Sequence, residues 1–298
     1  MKYKNFFSTV SLIASLGGLG WLTGGCALTA SMTGSSGDRA TDSSELFDPA
    51  ASETIKIIGA STPYPALELL AQAYSQETTG VEVVFLDSSQ SGGGIEAVKQ
   101  GLAEIGTVTR LPKPEEADER LTYRAIARDA LLVATHPTVT GFNGLTTQQL
   151  QDIYSGKITN WKDLSGPDAD IIILDRAEDT SAKRLLREYY LGSNLANASD
   201  AITLSRESDM VDALQGTAYS IGMLSLAKAT RQSLAINHIN LDGIEPIPQS
   251  IDAGQYDMHR TLGIVWYDQP SPTTQRFIDF VFSPSGSAVL EAAGFAAS

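Results

Sequence analysis

The chain has 298 residues, 42% hydrophobic and 19% charged, with 21 Lys and Arg against 35 Asp and Glu for a formal charge of -14. That acidity disfavours nucleic acid and anionic membranes as partners, and the ordinary composition excludes wholesale disorder, collagen and a membrane bundle. A single cysteine, Cys26, excludes an intrachain disulfide; His136, His238 and His259 lie far apart without metal-ligand spacing, so neither a metal nor a cofactor is expected.

Lys2 and Lys4 precede a mostly apolar run from about Phe6 to Leu22, which is followed by Thr23-Gly24-Gly25-Cys26. A positive start, an apolar run and small residues read as a secretory signal peptide over residues 1–25. Cys26 directly after small residues resembles a bacterial lipobox, where cleavage before the cysteine frees its thiol for a lipid. Thr23 stands where the usual Leu would be, with Leu22 one place early. Two other readings stay open. One is an uncleaved anchor, at about the 17-residue short limit for a spanning helix and weakened by Gly17, Gly18 and Gly20. The other is cleavage elsewhere, leaving Cys26 without a role. Residues 26–53 are rich in Ser, Thr, Gly, Ala and Asp and read as a flexible tether.

The folded part opens with a β-rich run, Thr54–Gly59. After Pro63, the spacing of Leu67, Leu70, Ala71 and Tyr74 predicts one apolar helix face. Val81–Leu86 reads as a buried parallel strand. Ser91-Gly92-Gly93-Gly94 opens a helix to about Gln100, and Glu104–Val108 is strand-like again. Further strands are expected at Ala130–Thr135, Ile171–Leu174, Ser220–Leu224 and Thr261–Trp266. Further helices are expected around Thr147–Tyr154, from about Ser181 to Tyr190, at Thr273–Phe282 and after Pro284. This alternation predicts an α/β fold with a parallel sheet, whose ligands sit beyond the carboxyl ends of strands.

Three helix starts therefore stand out. Ser61-Thr62 lies between a strand and a helix, where hydroxyls either cap the helix or donate to an anion beside its unpaired amides; capping is the commoner use. Ser91-Gly92-Gly93-Gly94 permits close backbone approach, and reads equally as a flexible loop. It lacks the dinucleotide spacing, and no P-loop Lys follows. Arg176 precedes Thr180-Ser181 at a third helix start. Its planar fork matches a tetrahedral oxyanion, against a solvated Arg with an ordinary cap. Arg110, after Glu104–Val108, is a fourth candidate, or else an ion-pair partner of the acidic run Glu115–Glu119.

The chain is similar, over roughly residues 54–296, to the substrate-binding component of bacterial phosphate ABC transporters, in the periplasmic binding protein superfamily. The resemblance is carried by Ile58-Gly59-Ala60-Ser61-Thr62-Pro63-Tyr64-Pro65, by Ser91–Ile95, by Ile105–Arg110, and most specifically by Leu150–Trp161. The ending Phe277–Gly286 adds to it. The resemblance implies a two-lobed (type II) fold with a ligand cleft between lobes: residues 54–132 and 258–298 in lobe 1, residues 133–257 in lobe 2. It implies inorganic phosphate as ligand, bound through Ser61, Thr62, Ser91, Arg176, Thr180 and Ser181; Gly92 and Arg110 join the candidate set from their places at the helix start and the strand end. It further implies an ABC permease as partner and a monomer; the signal peptide and Cys26 predict an exported protein held at the outer side of the cytoplasmic membrane.

Two departures bear on the ligand. Glu178-Asp179-Thr180-Ser181-Ala182 lacks the glycines usual in that loop. Thr109-Arg110 stands where some phosphate binders carry an Asp that accepts the proton of monohydrogen phosphate, a role open to Glu178 or Asp179. Sulfate or molybdate is the alternative ligand, and a sensory or adhesive lipoprotein without a ligand is the alternative role. Catalysis is not expected, because no Gly-x-Ser-x-Gly elbow exists and the histidines have no local partner.

Overall fold

A computed structural model describes residues 53–298. The signal peptide over 1–25, Cys26, and all of the tether but Glu53 lie outside the described residues. Strand β1 (Glu53–Gly59) runs into Ala60-Ser61-Thr62-Pro63 and helix α1 (Tyr64–Glu77), which turns Ala66, Leu67, Leu70 and Tyr74 inward. Pro63 sets the helical φ at the entry, where its missing N–H costs nothing. Next come β2 (Val81–Phe85), α2 (Ser91–Lys99) and β3 (Ile105–Val108). Both β2 and β3 pair with β1 in parallel. β2 is half-exposed, not fully buried as its apolar run predicts, because it forms the sheet edge and pairs only with β1.

The strand expected at Ala130–Thr135 is the second half of a 15-residue strand, β4 (Leu121–Thr135). After it follow β5 (Gly144–Leu145), α3 (Thr147–Tyr154) and a 3-10 turn at Trp161–Leu164 capped by Asn160. The chain continues through β6 (Ile172–Arg176) and α4 (Ser181–Leu186), which runs on into a π-helical turn at Arg187–Leu191. Then come β7 (Ile202–Leu204), α5 (Glu207–Gly216), β8 (Ser220–Ser225) and α6 (Leu226–Arg231). The described chain closes with β9 (Asn237–Leu241), α7 (Pro248–Asp252), β10 (His259–Tyr267), α8 (Pro272–Val281), α9 (Pro284–Ala292) and β11 (Ala296–Ala297).

The main strand order is β2-β1-β3-β10-β4-β8-β6-β7. The predicted parallel pairing holds at both ends of this path, where β6 pairs β7 and β8 in parallel. It fails in the middle: β10 is antiparallel to β3 and β4, and β4 is antiparallel to β8. The sheet is therefore mixed, and it serves two large hydrophobic cores and a small third one of Ile95, Val98, Val108 and Val265. One large core gathers Ile57, Leu67, Leu70, Trp266 and Phe277; the other gathers Leu132, Tyr154, Trp161, Met210 and Leu224.

The chain crosses between the cores on two paired strands. Ala127 belongs to the first core and Ala130 to the second; Leu262 belongs to the first and Met258 to the second. Between them, Arg260 of β10 stands opposite Asp129 of β4. α6 also straddles the division, with Ala227 in the first core and Leu226 and Ala229 in the second.

Candidate functional site

The carboxyl ends of β1 and β3 and the start of α2 are locked together. Ala60 N donates to Thr107 O at 3.0 Å, Thr107 Oγ1 donates to Ala60 O at 2.9 Å, and Ser89 N donates to Gly59 O at 2.7 Å. Gly59 has a φ of +136°, and a Cβ there would fall 2.4 Å from Thr107 O. Gly94 seats α2 on β1, since a Cβ would lie 2.9 Å from Gly59 Cα and from Ile58 O. Glycine at both positions is thus a packing requirement, and it seats the first turn of α2 against the end of β1.

Capping, the commoner use of hydroxyls before a helix, does not apply to Ser61 or Thr62. The N-cap of α1 is Pro63 and no side chain caps the helix. Ser61 is exposed and Thr62 half-buried. Ser91 is buried, and its Oγ accepts from Thr109 N at 3.1 Å and lies 3.4 Å from Thr109 Oγ1. Thr109 therefore ties the end of β3 to the first turn of α2.

Arg110 is committed elsewhere. Its guanidinium meets Glu116 in a bidentate pair, Nη1 to Oε2 at 2.6 Å and Nη2 to Oε1 at 2.7 Å. The hydrogen bond from Arg110, reinforced by the Lys113 amide, pulls the Glu116 carboxyl down to about 2. The pair overlies the start of α2: Glu116 Oε1 lies 3.0 Å from where a Cβ on Gly92 would stand. An internal carboxylate thus already answers the partial positive charge of that helix end on this side.

Arg176 is the last residue of β6 and is buried, at 8% exposure. Its Nη2 donates to Ser205 O at 2.9 Å, while its buried Nε has no partner among the described residues. Burial pushes its proton affinity down; the charge of Glu207 pulls it up, Arg260 pushes it down and Asp209 pulls it up. Arg176 therefore shares a neighbourhood with Glu207 and Arg260.

The loop after β6 is set by a buried ion pair. Lys183 Nζ reaches Asp175 Oδ2 at 2.6 Å, with side chains 0% and 2% exposed. Asp175 Oδ1 accepts from Arg176 N, and Asn197 bridges Asp175 to Glu178. Thr180 does act as an ordinary cap: its Oγ1 accepts from Lys183 N at 3.2 Å and donates to Ala177 O at 2.7 Å. Ser181 is exposed. Glu178 is held by Arg187 in a bidentate pair.

A charged cluster sits at the crossing between the cores. Arg260 Nη2 pairs with Asp129 Oδ2, and Ser225 Oγ donates to Asp129 Oδ1 at 2.7 Å. Glu207 Oε1 accepts from Ser225 N at 2.9 Å and stands 3.7 Å from Arg260 Nη2. Burial alone would depress the proton affinity of Arg260, but Asp129 and Glu207 outweigh it and the net shift is upward. Together with Ser61 and Thr62, these residues line a cavity of about 470 Å³, within the usual range of about 300–1,000 Å³ for small-molecule sites. A larger cavity of about 650 Å³ involves Glu178, Thr180, Arg184, Arg187 and Glu188. Its arginines already face its own carboxylates, Arg187 with Glu178 and Arg184 with Glu188, so it offers little to an anion.

Ser61 and Thr62 thus share a cavity with Arg260 and Glu207; Arg176 feels the charge of both but is not among the residues that line it. Ser91 is not among the lining residues; its hydroxyl is engaged with Thr109. Arg110 and Thr180 have their donors engaged. Sequence reading missed Asp129, Glu207, Ser225 and Arg260. One signal was present: Asp129 is a lone acid in the apolar stretch Ile126–Val133, and a buried acid requires a partner.

Residues 47–285 match a family model described as a PBP superfamily domain. A relative from Borreliella burgdorferi named phosphate-binding protein PstS is 26% identical over 251 residues, 81% of this chain and 88% of that relative. Its counterpart of the same name in Bacillus subtilis is 22% identical, over 78% of this chain and 76% of its own length. A solved structure from Clostridium perfringens, described as a phosphate ABC transporter substrate-binding protein with bound phosphate, superposes with a TM-score of 0.66. It is 25% identical and covers 83% of this chain and 100% of its own. An ABC-type phosphate transport receptor from Vibrio cholerae shares the fold with a TM-score of 0.60 at 24% identity, over 82% of this chain and 99% of its own. Two cores joined by crossing strands, a polar cavity at the crossing, and a family match over most of its length establish that the chain belongs to the PBP superfamily.

Proposed function

We propose that this chain is the solute-binding component of an ABC importer and captures inorganic phosphate between its two cores. The observation that carries the reading is one cavity in which Ser61 and Thr62, neither of them a helix cap, meet Arg260 and Glu207; Arg176 lies outside its lining but within electrostatic range of both. The names of the Borreliella and Clostridium relatives supply the ligand. Charge-assisted hydrogen bonds contribute about 1.5–3 kcal/mol each, so a few from guanidinium, hydroxyl and amide groups hold a dehydrated oxyanion despite the acidic surface.

In this mechanism the open protein takes the oxyanion on the turns at Ser61-Thr62 and Ser91. Rotation about the paired strands at Asp129 and Arg260 then brings the second core, with Arg176 and Ser181, across it in a hinge closure. The closed form is what a membrane permease recognises. The protein works as an exported monomer, held through a lipid on Cys26, and performs no chemistry on its ligand.

Binding to the native state raises its stability, by about 2.7 kcal/mol at a ligand concentration of one hundred dissociation constants. A melting-temperature panel of phosphate, sulfate, molybdate and buffer tests the reading. Phosphate is expected to give the largest rise. A rise with sulfate or molybdate alone would reassign the ligand, and no rise with any oxyanion would overturn the proposal.

A further inference from the structure

The charged lining of the cavity at the crossing consists of Glu68, Asp129 and Glu207 against Lys228, Arg231 and Arg260. Arg260 pairs with Asp129 and stands 3.7 Å from Glu207, so these three answer one another. Lys228 and Arg231 differ. Among the described residues neither side chain has a hydrogen-bond partner or a carboxylate within ion-pair distance, and only the Lys228 amide is engaged, on Ser225 Oγ. They lie one turn apart on α6, Lys228 half-buried and Arg231 exposed, and share the lining with the Ser61-Thr62 turn. The lining follows α6 from Ser225 at its N-cap, which holds Asp129, to Arg231 in its last turn. At about 1.5 Å per residue that is a distance of about 9 Å.

We infer that Lys228 and Arg231 recruit the oxyanion into the cavity through their field, without binding it directly. The inference rests on the reading of this cavity as the oxyanion site. The chain carries a formal charge of -14, so a dianion approaching from solvent meets net repulsion. Two unanswered cations in a cavity with low-dielectric walls reverse the sign locally and raise the local anion concentration. Glu68, in the same lining, opposes them by one charge. Cations in the last turn of a helix also offset its dipole, but that use shows in stability and not in affinity. A field differs from a contact in its response to salt, because the Debye length falls from about 30 Å at 0.01 M to about 3 Å at 1 M.

The test is calorimetric titration of phosphate at about 10 mM and about 1 M NaCl. The proteins are the wild type, Lys228→Gln with Arg231→Gln, and Glu68→Gln. The double variant is expected to bind at least threefold more weakly than wild type at low salt and equally well at high salt. Glu68→Gln is expected to bind more tightly than wild type at low salt. A control, Arg120→Gln with Lys162→Gln, makes the same change in net charge at cations that face their own carboxylates and do not line the cavity. It is expected to change affinity less than twofold. Three results would overturn the inference: no low-salt loss in the double variant, a loss that persists at high salt as a direct contact would, or an equal loss in the control. If the double variant melts far below the wild type, the two single variants carry the same comparison. Failure of the wild type to bind phosphate would instead sink the proposed function. The pair is then judged on sulfate by the same salt comparison, and a wild type that binds neither anion removes both readings.

Discussion

Replacing Arg176 with alanine is expected to weaken phosphate binding at least tenfold. The side chain is buried at the end of β6, with one donor on Ser205 O and a buried Nε that has no partner among the described residues. A group so placed has already lost its hydration, so the pairing of its remaining donors with an oxyanion is largely net gain. Loss of one charge-assisted hydrogen bond of about 1.5–3 kcal/mol corresponds to about tenfold or more in affinity. The alanine also leaves a small cavity and frees Ser205 O, so melting temperatures of the unliganded variant must be read alongside. Arg176→Lys separates the two effects. It keeps the charge and most of the volume but not the planar fork, and should recover only part of the affinity. Unchanged calorimetric affinity in both variants would remove Arg176 from the site.

The largest loss of stability is expected at Lys183. Its ammonium is fully buried against Asp175, which also accepts from Arg176 N and Asn197. Removing one member of a buried pair leaves the other charge without compensation and costs about 3–5 kcal/mol. Lys183→Met should therefore lower the urea midpoint strongly. Replacing Asp175 with Asn in the same chain should restore part of the loss, since the amide oxygen still accepts from Arg176 N without a stranded charge. Trp161 and Trp266 lie in different cores, so fluorescence reports unfolding of both. A loss below about 1 kcal/mol, typical of an exposed pair, would show that Lys183 is not buried as described.

Much of the architecture was legible because periodicity and turn chemistry agree locally. The α1 face, the glycine-rich start of α2, the Thr147–Tyr154 helix and the C-terminal helices follow from spacing alone. The mixed pairing was not legible. Neither β4 nor β10 carries a mark of direction, and Arg124, Arg128 and Asp129 interrupt the apolar pattern of the first half of β4. α5 and α6 were missed as well: α5 carries few apolar residues, and α6 has six residues and no long period to detect.

The site was legible where a residue's role depends on its own turn, and opaque where it depends on a partner distant in the chain. Ser61-Thr62 and Arg176 stand at strand ends, a position that local sequence reveals. Whether a hydroxyl or guanidinium is free depends on what folds against it. Thr180 is used as a cap and Arg110 is taken by Glu116, both uses that sequence reading held open. Arg260 and Glu207 meet across the crossing from segments more than fifty residues apart. No local pattern announces such a pair.

Whether groups from both cores converge on one oxyanion is decided by a crystal structure of the phosphate complex. One phosphate is expected in contact with the Arg176 guanidinium from one side and the Ser61-Thr62 turn from the other. A phosphate touching a single core, or lodged between Glu178 and Arg187 with Arg176 still bonded only to Ser205, would contradict it.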